Sequence, residues 1–205
     1  MKYAFYTLGC KVNQYETQAM QQLLLARGDT LGEFDGVCDC YIVNTCTVTA
    51  VSDKKSRNAI RRARKLNPNA VIGVCGCYAQ TAPEEIRKLD VDVLIGTDGR
   101  AEFLDKMAAA AAEKLRWEHV EDAGLPRAFE QLPSGGLAER TRALLKVEDG
   151  CNNFCTYCII PYARGPVRSL PLDAAVAQTR QLAAACYREI VVNGIEISSW
   201  GAEWK

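Results

Sequence analysis

Short β-rich runs alternate with longer amphipathic stretches through the first half of the chain, and this alternation limits the possible folds more than any other feature. Lys2–Thr7 reads as a buried strand. Residues 13–27 follow as a helix, with Asn13 and Glu16 in capping-box spacing, Met20, Leu23 and Leu24 on one face, and Gly28 as the stop. The pattern repeats: a strand over 40–44 and a helix over 52–66, then a strand over 70–74 and a short helix introduced by Thr81-Ala82-Pro83-Glu84. A fourth strand over 91–95 leads into an alanine-rich helix over 100–115. Parallel neighbours need a crossover, and a helix is the usual one, so repeated βα units predict a doubly wound α/β domain with a parallel sheet covered on both faces.

From 116 to 140 the pattern fades into a segment with Leu125-Pro126 and Pro133-Ser134-Gly135-Gly136, which reads as an interdomain connection. A new start comes with a strand over 143–147, a cysteine-rich loop, a helix over 172–185 and a strand over 189–192. The expected division is 1–120, a connection over 121–140, and 141–205. A (β/α) barrel takes on the order of 200 residues, so the last part is either the incomplete start of such a barrel or a pair of strands that joins the first sheet. The fragment is the favoured expectation, because two parallel strands cannot cover themselves.

Lys and Arg balance Asp and Glu at 25 each, so a polyanionic partner has to be held by a local patch or another module. No apolar run approaches the roughly 20 residues that cross a bilayer, and the start lacks the build of a signal peptide. The expectation is a soluble, cytoplasmic protein without a membrane partner. In a reducing cytosol, ten cysteines point to metal or catalysis rather than to disulfides.

Cys151, Cys155 and Cys158 have the spacing C-x3-C-x2-C directly after a predicted strand. Three thiolates on one loop can ligate three irons of a [4Fe–4S] cube and leave the fourth iron open. The alternative is a zinc knuckle or a set of structural cysteines, which lacks a nearby fourth Cys or His. A second group emerges from topology: Cys10, Cys46 and Cys77 each close a predicted strand, and in a parallel sheet those ends share one edge, where open α/β folds bind ligands. Independent core cysteines are the other reading of this trio. Cys75 rivals Cys77, since strand alternation turns both to the same face. Cys38, Cys40 and Cys186 are expected as small core or surface residues.

Four strings carry a resemblance: Thr7-Leu8-Gly9-Cys10-Lys11-Val12-Asn13-Gln14-Tyr15-Glu16-Thr17, Asn44-Thr45-Cys46-Thr47-Val48-Thr49, Gly76-Cys77-Tyr78-Ala79-Gln80, and the run from Cys155 through Ile160-Pro161-Tyr162-Ala163-Arg164-Gly165. They resemble the radical S-adenosylmethionine methylthiotransferases, most closely the branch acting on N6-threonylcarbamoyladenosine at tRNA position 37. Sister branches act on isopentenyladenosine or on an aspartate of a ribosomal protein. The resemblance implies two [4Fe–4S] clusters, one on Cys10, Cys46 and Cys77 and one on Cys151, Cys155 and Cys158, the latter chelating S-adenosyl-L-methionine and cleaving it to a 5′-deoxyadenosyl radical. It implies the tRNA anticodon loop as substrate and an electron donor protein as partner. It also implies a three-part architecture, of which most of the radical SAM barrel and the RNA-binding C-terminal module are expected to be absent from this chain.

By the same resemblance Tyr157 lies against the adenine, with packing on the barrel as the alternative, and Gly194 lies near the amino acid part of the cofactor although the family's common Gly-Gly-Glu pattern is missing. Glu196 is a nearby polar candidate. Arg164 and Arg168, beside the cysteine loop, suit a phosphate or the cofactor carboxylate, which a guanidinium binds in bidentate fashion. The helix from Ser52 carries Lys54, Lys55, Arg57, Arg61, Arg62, Arg64 and Lys65, which reads as a solvated face or as an attractor of the tRNA backbone. His119 has no assigned role.

Overall fold

A computed structural model describes residues 1–135 and 141–204. The tail of the expected connection, including Gly136 and Arg140, and Lys205 lie outside the described residues. The first part runs β1 (Lys2–Thr7), α1 (Lys11–Ala26), β2 (Thr30–Gly32), β3 (Cys40–Thr45), α2 (Ala50–Leu66), β4 (Val71–Gly76), α3 (Cys77–Thr81), α4 (Pro83–Arg87), β5 (Val93–Ile95), α5 (Arg100–Glu113) and β6 (Trp117–His119). These six strands form one sheet in the order β2-β1-β3-β4-β5-β6, parallel at every pairing. The chain winds outward in both directions from β1 and β3, so the strand order reverses between them, and that crevice is where doubly wound sheets bind ligands.

Strand alternation sends successive side chains to opposite faces. Tyr3, Cys40, Ile42, Val71 and Cys75 pack with Met20 and Leu24 of α1 and Phe103, Leu104 and Met107 of α5. Ala4, Tyr41, Val43, Ile72 and Val74 pack on the other side with Ala59, Ile60 and Ala63 of α2 and Ile86 of α4. Both faces are therefore covered, and the doubly wound α/β expectation holds.

Several local expectations are corrected. Helix α1 starts at Lys11 behind an extended Cys10 that makes no side-chain cap. Asn13 and Glu16 are thus inside the helix and buried; their polar groups are used across the molecule rather than on the helix end. Residues 117–119 do not belong to a fading connection: β6 pairs with β5, its residue Trp117 opposite Val93. Cys75 and Cys77 do not share a strand face, because the chain turns at Gly76 (φ +97°) and Cys77 opens α3. A Cβ on Gly76 would lie 2.5 Å from the Thr45 carbonyl oxygen, so the turn requires glycine.

The later elements are β7 (Arg142–Lys146), β8 (Glu148–Asp149), α6 (Ile160–Arg164), β9 (Arg168–Ser169), α7 (Leu172–Ala184) and β10 (Glu189–Asn193). Strands β7 and β10 pair in parallel as a separate two-stranded sheet and do not join the first sheet. One face packs Ala143, Leu145 and Val147 against Leu170 and Leu182. The other turns Leu144 onto Tyr15 and Ala19 of α1. Helix α1 thus lies between the two sheets, and Tyr15 Oη ties it to the Leu132 carbonyl at 2.8 Å. No helix among the described residues is long and apolar enough to cross a membrane.

Candidate functional site: two cysteine groups around a buried charge network

The register Thr7↔Asn44 and Thr45↔Gly76 aligns the carboxyl ends of β1, β3 and β4. Cys46 and Cys77 are the residues that follow β3 and β4, and Cys10 ends the short loop after β1. The three thiols therefore share one edge of the sheet, with Cys10 and Cys46 on either side of the order reversal. A Cβ on Gly9 would come within 3.0 Å of the Cys46 Cβ, which shows how close the β1 loop runs to that residue. Cys46 and Cys77 are buried and Cys10 is exposed.

Side-chain amides hold these loops together. Asn13 Nδ2 donates to Asn44 Oδ1 at 3.1 Å and to the Thr45 carbonyl at 3.0 Å. Asn44 Nδ2 returns a bond to the Asn13 carbonyl at 3.0 Å. The Cys10 thiol donates to Asn13 Oδ1 at 3.3 Å. Sequence reasoning missed this role because the Asn-x-x-Glu spacing matches a helix cap equally well.

The remaining cysteines differ in kind. Burial pushes the thiols of Cys40 and Cys75 up to about 12, so both stay protonated in the apolar core. Burial also raises Cys77, but there the positive charge of the Arg164 guanidinium opposes it. Among the described residues no three His, Cys, Asp or Glu side chains sit close enough to hold a single ion. A cube makes a different demand, since each thiolate takes its own iron and the ligands surround the group instead of meeting at a point. Three thiols from adjacent strand ends beside a buried cation fit such a cluster.

The second group sits on the loop between β8 and α6. Its ends are pinned by the Cys151 amide donating to the Gly165 carbonyl at 3.0 Å and the Val167 amide donating to Asn152 Oδ1 at 3.1 Å. The Cys158 amide closes a turn on the Cys155 carbonyl at 2.9 Å. Cys151 is buried, Cys158 half-buried and Cys155 exposed. Tyr157 is 91% exposed, so it packs on nothing and is free to meet a ligand. Gly194 follows β10, where a Cβ would lie 2.6 Å from Glu148 Oε2. That same oxygen accepts the Ile195 and Glu196 amides, each at 2.7 Å. Burial pushes the Glu148 carboxyl up to about 7, helped by Asp149, against the pull of those two amides. The Glu196 carboxylate is occupied by the Ser198 and Ser199 hydroxyls.

Arg164 and Arg168 are corrections. Neither is presented to a phosphate or a cofactor carboxylate, because both are buried in a charge network. Arg164 Nη1 donates to Glu16 Oε1 at 2.8 Å and to Asp149 Oδ1 at 3.1 Å. Arg168 Nη2 donates to Asp149 Oδ2 at 3.1 Å. Arg100 and Lys146 also face Glu16, at 2.9 and 3.5 Å. Burial alone would raise the Glu16 carboxyl, but Arg100, Arg164 and Lys146 outweigh it and hold it at about 2. The sequence signal for this network was a lysine and two acids, Lys146, Glu148 and Asp149, inside an otherwise apolar strand region.

On α2 the expected basic stripe is divided. Arg57 donates to Tyr78 Oη at 2.6 Å, Arg64 pairs with Asp90 and Asp92, and Arg62 pairs with Asp35. Lys54, Lys55, Arg61 and Lys65 are exposed. His119 pairs with Glu121 at the surface.

Residues 2–96 match the model described as uncharacterized protein family UPF0004. Over 98% of its length the chain is 46% identical to the threonylcarbamoyladenosine tRNA methylthiotransferase MtaB of Bacillus subtilis, covering 45% of that protein. It is 38% identical to the MtaB of Aquifex aeolicus over 98% of the chain and 49% of the relative. The chain is similar to the MtaB-like methylthiotransferases along nearly its whole length. A tRNA-2-methylthio-N(6)-dimethylallyladenosine synthase of Novosphingobium aromaticivorans is 34% identical over 96% of the chain and 44% of that protein. The chain spans about half the length of the methylthiotransferases it matches.

Proposed function

We propose that this chain is the cysteine-bearing part of a cytoplasmic tRNA methylthiotransferase that modifies C2 of N6-threonylcarbamoyladenosine at position 37. The observation that carries the reading is the placement of Cys10, Cys46 and Cys77 along one sheet edge, beyond the carboxyl ends of the adjacent strands β1, β3 and β4. In this reading those three residues hold one [4Fe–4S] cluster. Cys151, Cys155 and Cys158 hold a second together with S-adenosyl-L-methionine, with Tyr157 and Gly194 beside it. The proposed division is 1–120 for the first part and 141–205 for the start of the radical domain. An aromatic C–H bond has no acidic proton and no leaving group, and the bound clusters and cofactor supply the radical and the sulfur that acid–base groups cannot.

The chain's own residues do the holding. Asn13 and Asn44 fix the loops that present the first trio. The Cys151–Cys158 loop runs from a buried Cys151 to an exposed Cys155 and Tyr157, where a nucleotide-sized ligand can reach. The partners proposed are the tRNA anticodon loop, an electron donor protein and a separate RNA-binding module.

The test is oxygen-free reconstitution followed by iron and sulfide analysis. Two cubes give about eight irons per chain and one gives about four; none refutes the reading. In the full-length protein, Cys77→Ala is expected to keep 5′-deoxyadenosine formation and lose thiolation. Mass spectrometry of tRNA and ribosomal protein from cells lacking the gene then identifies the substrate: a missing methylthio group on dimethylallyladenosine or on a ribosomal aspartate would overturn the threonylcarbamoyl assignment.

A further inference from the structure

Arg164 closes α6 six residues after Cys158, yet its side chain is wholly buried against α1. Its Nη2 donates to Asn13 Oδ1 at 3.2 Å, the same oxygen that accepts the Cys10 thiol. Its positive charge also acts on the buried Cys77 thiol. One side chain from the second cysteine loop thus reaches the surroundings of two thiols in the first group. At its base, the neighbouring Gly165 carbonyl holds the Cys151 amide, and Arg164 Nη1 binds Asp149, two residues before Cys151.

The charges around it are unequal. Glu16, Glu130 and Asp149 face Arg100, Lys146, Arg164 and Arg168, so within this network one positive charge is in excess. An uncompensated charge in the interior is costly. Three thiolates outweigh the double positive charge of a [4Fe–4S] core, so a cluster on the first trio is an anion of the required sign. Arg164 is the member of the network that reaches that trio.

We propose that Arg164 is a positioning residue that fixes the first cysteine trio from the side of the second loop and places the network's surplus positive charge beside it. This rests on the cluster assignment made above for Cys10, Cys46 and Cys77. A cation beside the cluster favours its electron-rich form, so removing the cation moves the reduction potential to a more negative value.

The experiment uses the full chain in a Cys151→Ala/Cys155→Ala/Cys158→Ala background, so that any cluster present belongs to the first trio. Iron content, the electron paramagnetic resonance spectrum of the reduced protein and its reduction potential are measured for this parent and for added Arg164→Lys and Arg164→Gln. The expected result is a more negative potential and an altered spectrum in the Gln variant, with part of the potential restored by Lys. Should the Gln variant fail to fold, Lys decides alone, because its single head keeps the charge but cannot span Asn13, Glu16 and Asp149 together: an altered spectrum at unchanged iron content supports the role. Spectra and potentials that superimpose on the parent overturn it. A parent without iron refutes the cluster assignment itself, and with it any role for Arg164 there.

Discussion

Replacing Glu16 by glutamine tests the buried network with little change of shape. The carboxylate is fully buried and faces Arg100 at 2.9 Å, Arg164 at 2.8 Å and Lys146 at 3.5 Å. Its lowering from the ordinary 4.5 to about 2 converts to roughly 3 kcal/mol, at about 1.4 kcal/mol for each tenfold change in the proton equilibrium. Loss of one partner from a buried pair costs about 3–5 kcal/mol, because the charges left behind have no water to turn to. Both routes give the same magnitude, so Glu16→Gln should lower stability at pH 7 by about 3–4 kcal/mol. For a chain of this size that is a fall in Tm of about 10 °C. Urea unfolding of the reduced protein should show a lower midpoint at an unchanged slope. The sign of the pH effect is fixed as well: a depressed carboxyl stabilises above its unfolded value and loses that contribution as pH falls. The gap between the two proteins should therefore close between about pH 4.5 and pH 2. A difference below about 1 kcal/mol at pH 7, or a gap that persists at pH 2, would refute the reasoning.

Glu148 should behave in the opposite sense. Its raised value of about 7 means the folded state keeps a proton that the unfolded state gives up, so stability declines as pH climbs from about 4.5 to 7, by on the order of 1–3 kcal/mol; Glu148→Gln should flatten that slope in urea titrations run across the window. Gly76→Ala places a methyl against the Thr45 carbonyl at a left-handed φ, and should cost roughly 1–3 kcal/mol in thermal unfolding while reducing iron bound by the first trio. Lys54→Glu with Lys55→Glu should weaken binding of an anticodon stem-loop RNA and reduce the magnitude of its log–log salt slope by about 1–2; an unchanged slope would assign that face to solvent.

The parallel sheet was legible because each apolar run of four or more residues is followed by a helix-period stretch, and local pattern is what sets such elements. The edge location of Cys10, Cys46 and Cys77 followed from the same topology, since it needs only the strand ends. Short strands such as Thr30–Gly32 and Trp117–His119 were not legible: three residues carry too little alternation, and pairing with a neighbour decides them. Asn13, Glu16, Arg100 and Arg164 were misread or overlooked for one common reason. Their partners lie up to 151 residues away, and no local rule predicts that a polar side chain on a helix will be buried by an element made so much later. Cys77 was legible as a residue at the edge of the sheet but not its setting, because the turn at Gly76 breaks the strand periodicity on which the comparison with Cys75 relied.

The position of α1 between two sheets has a consequence for how the molecule is made. The helix leaves the ribosome early and can settle on β1, β3 and α5 as soon as these exist, whereas the two-stranded sheet can only be built onto a surface already in place. Contacts that span more than a hundred residues form slowly. Until they do, Glu16 has Arg100 but lacks Arg164 and Lys146, and α1 carries a bare apolar stripe at Tyr15 and Ala19. The nascent first half is therefore the species most exposed to aggregation, and chaperone capture during synthesis would act at that stage.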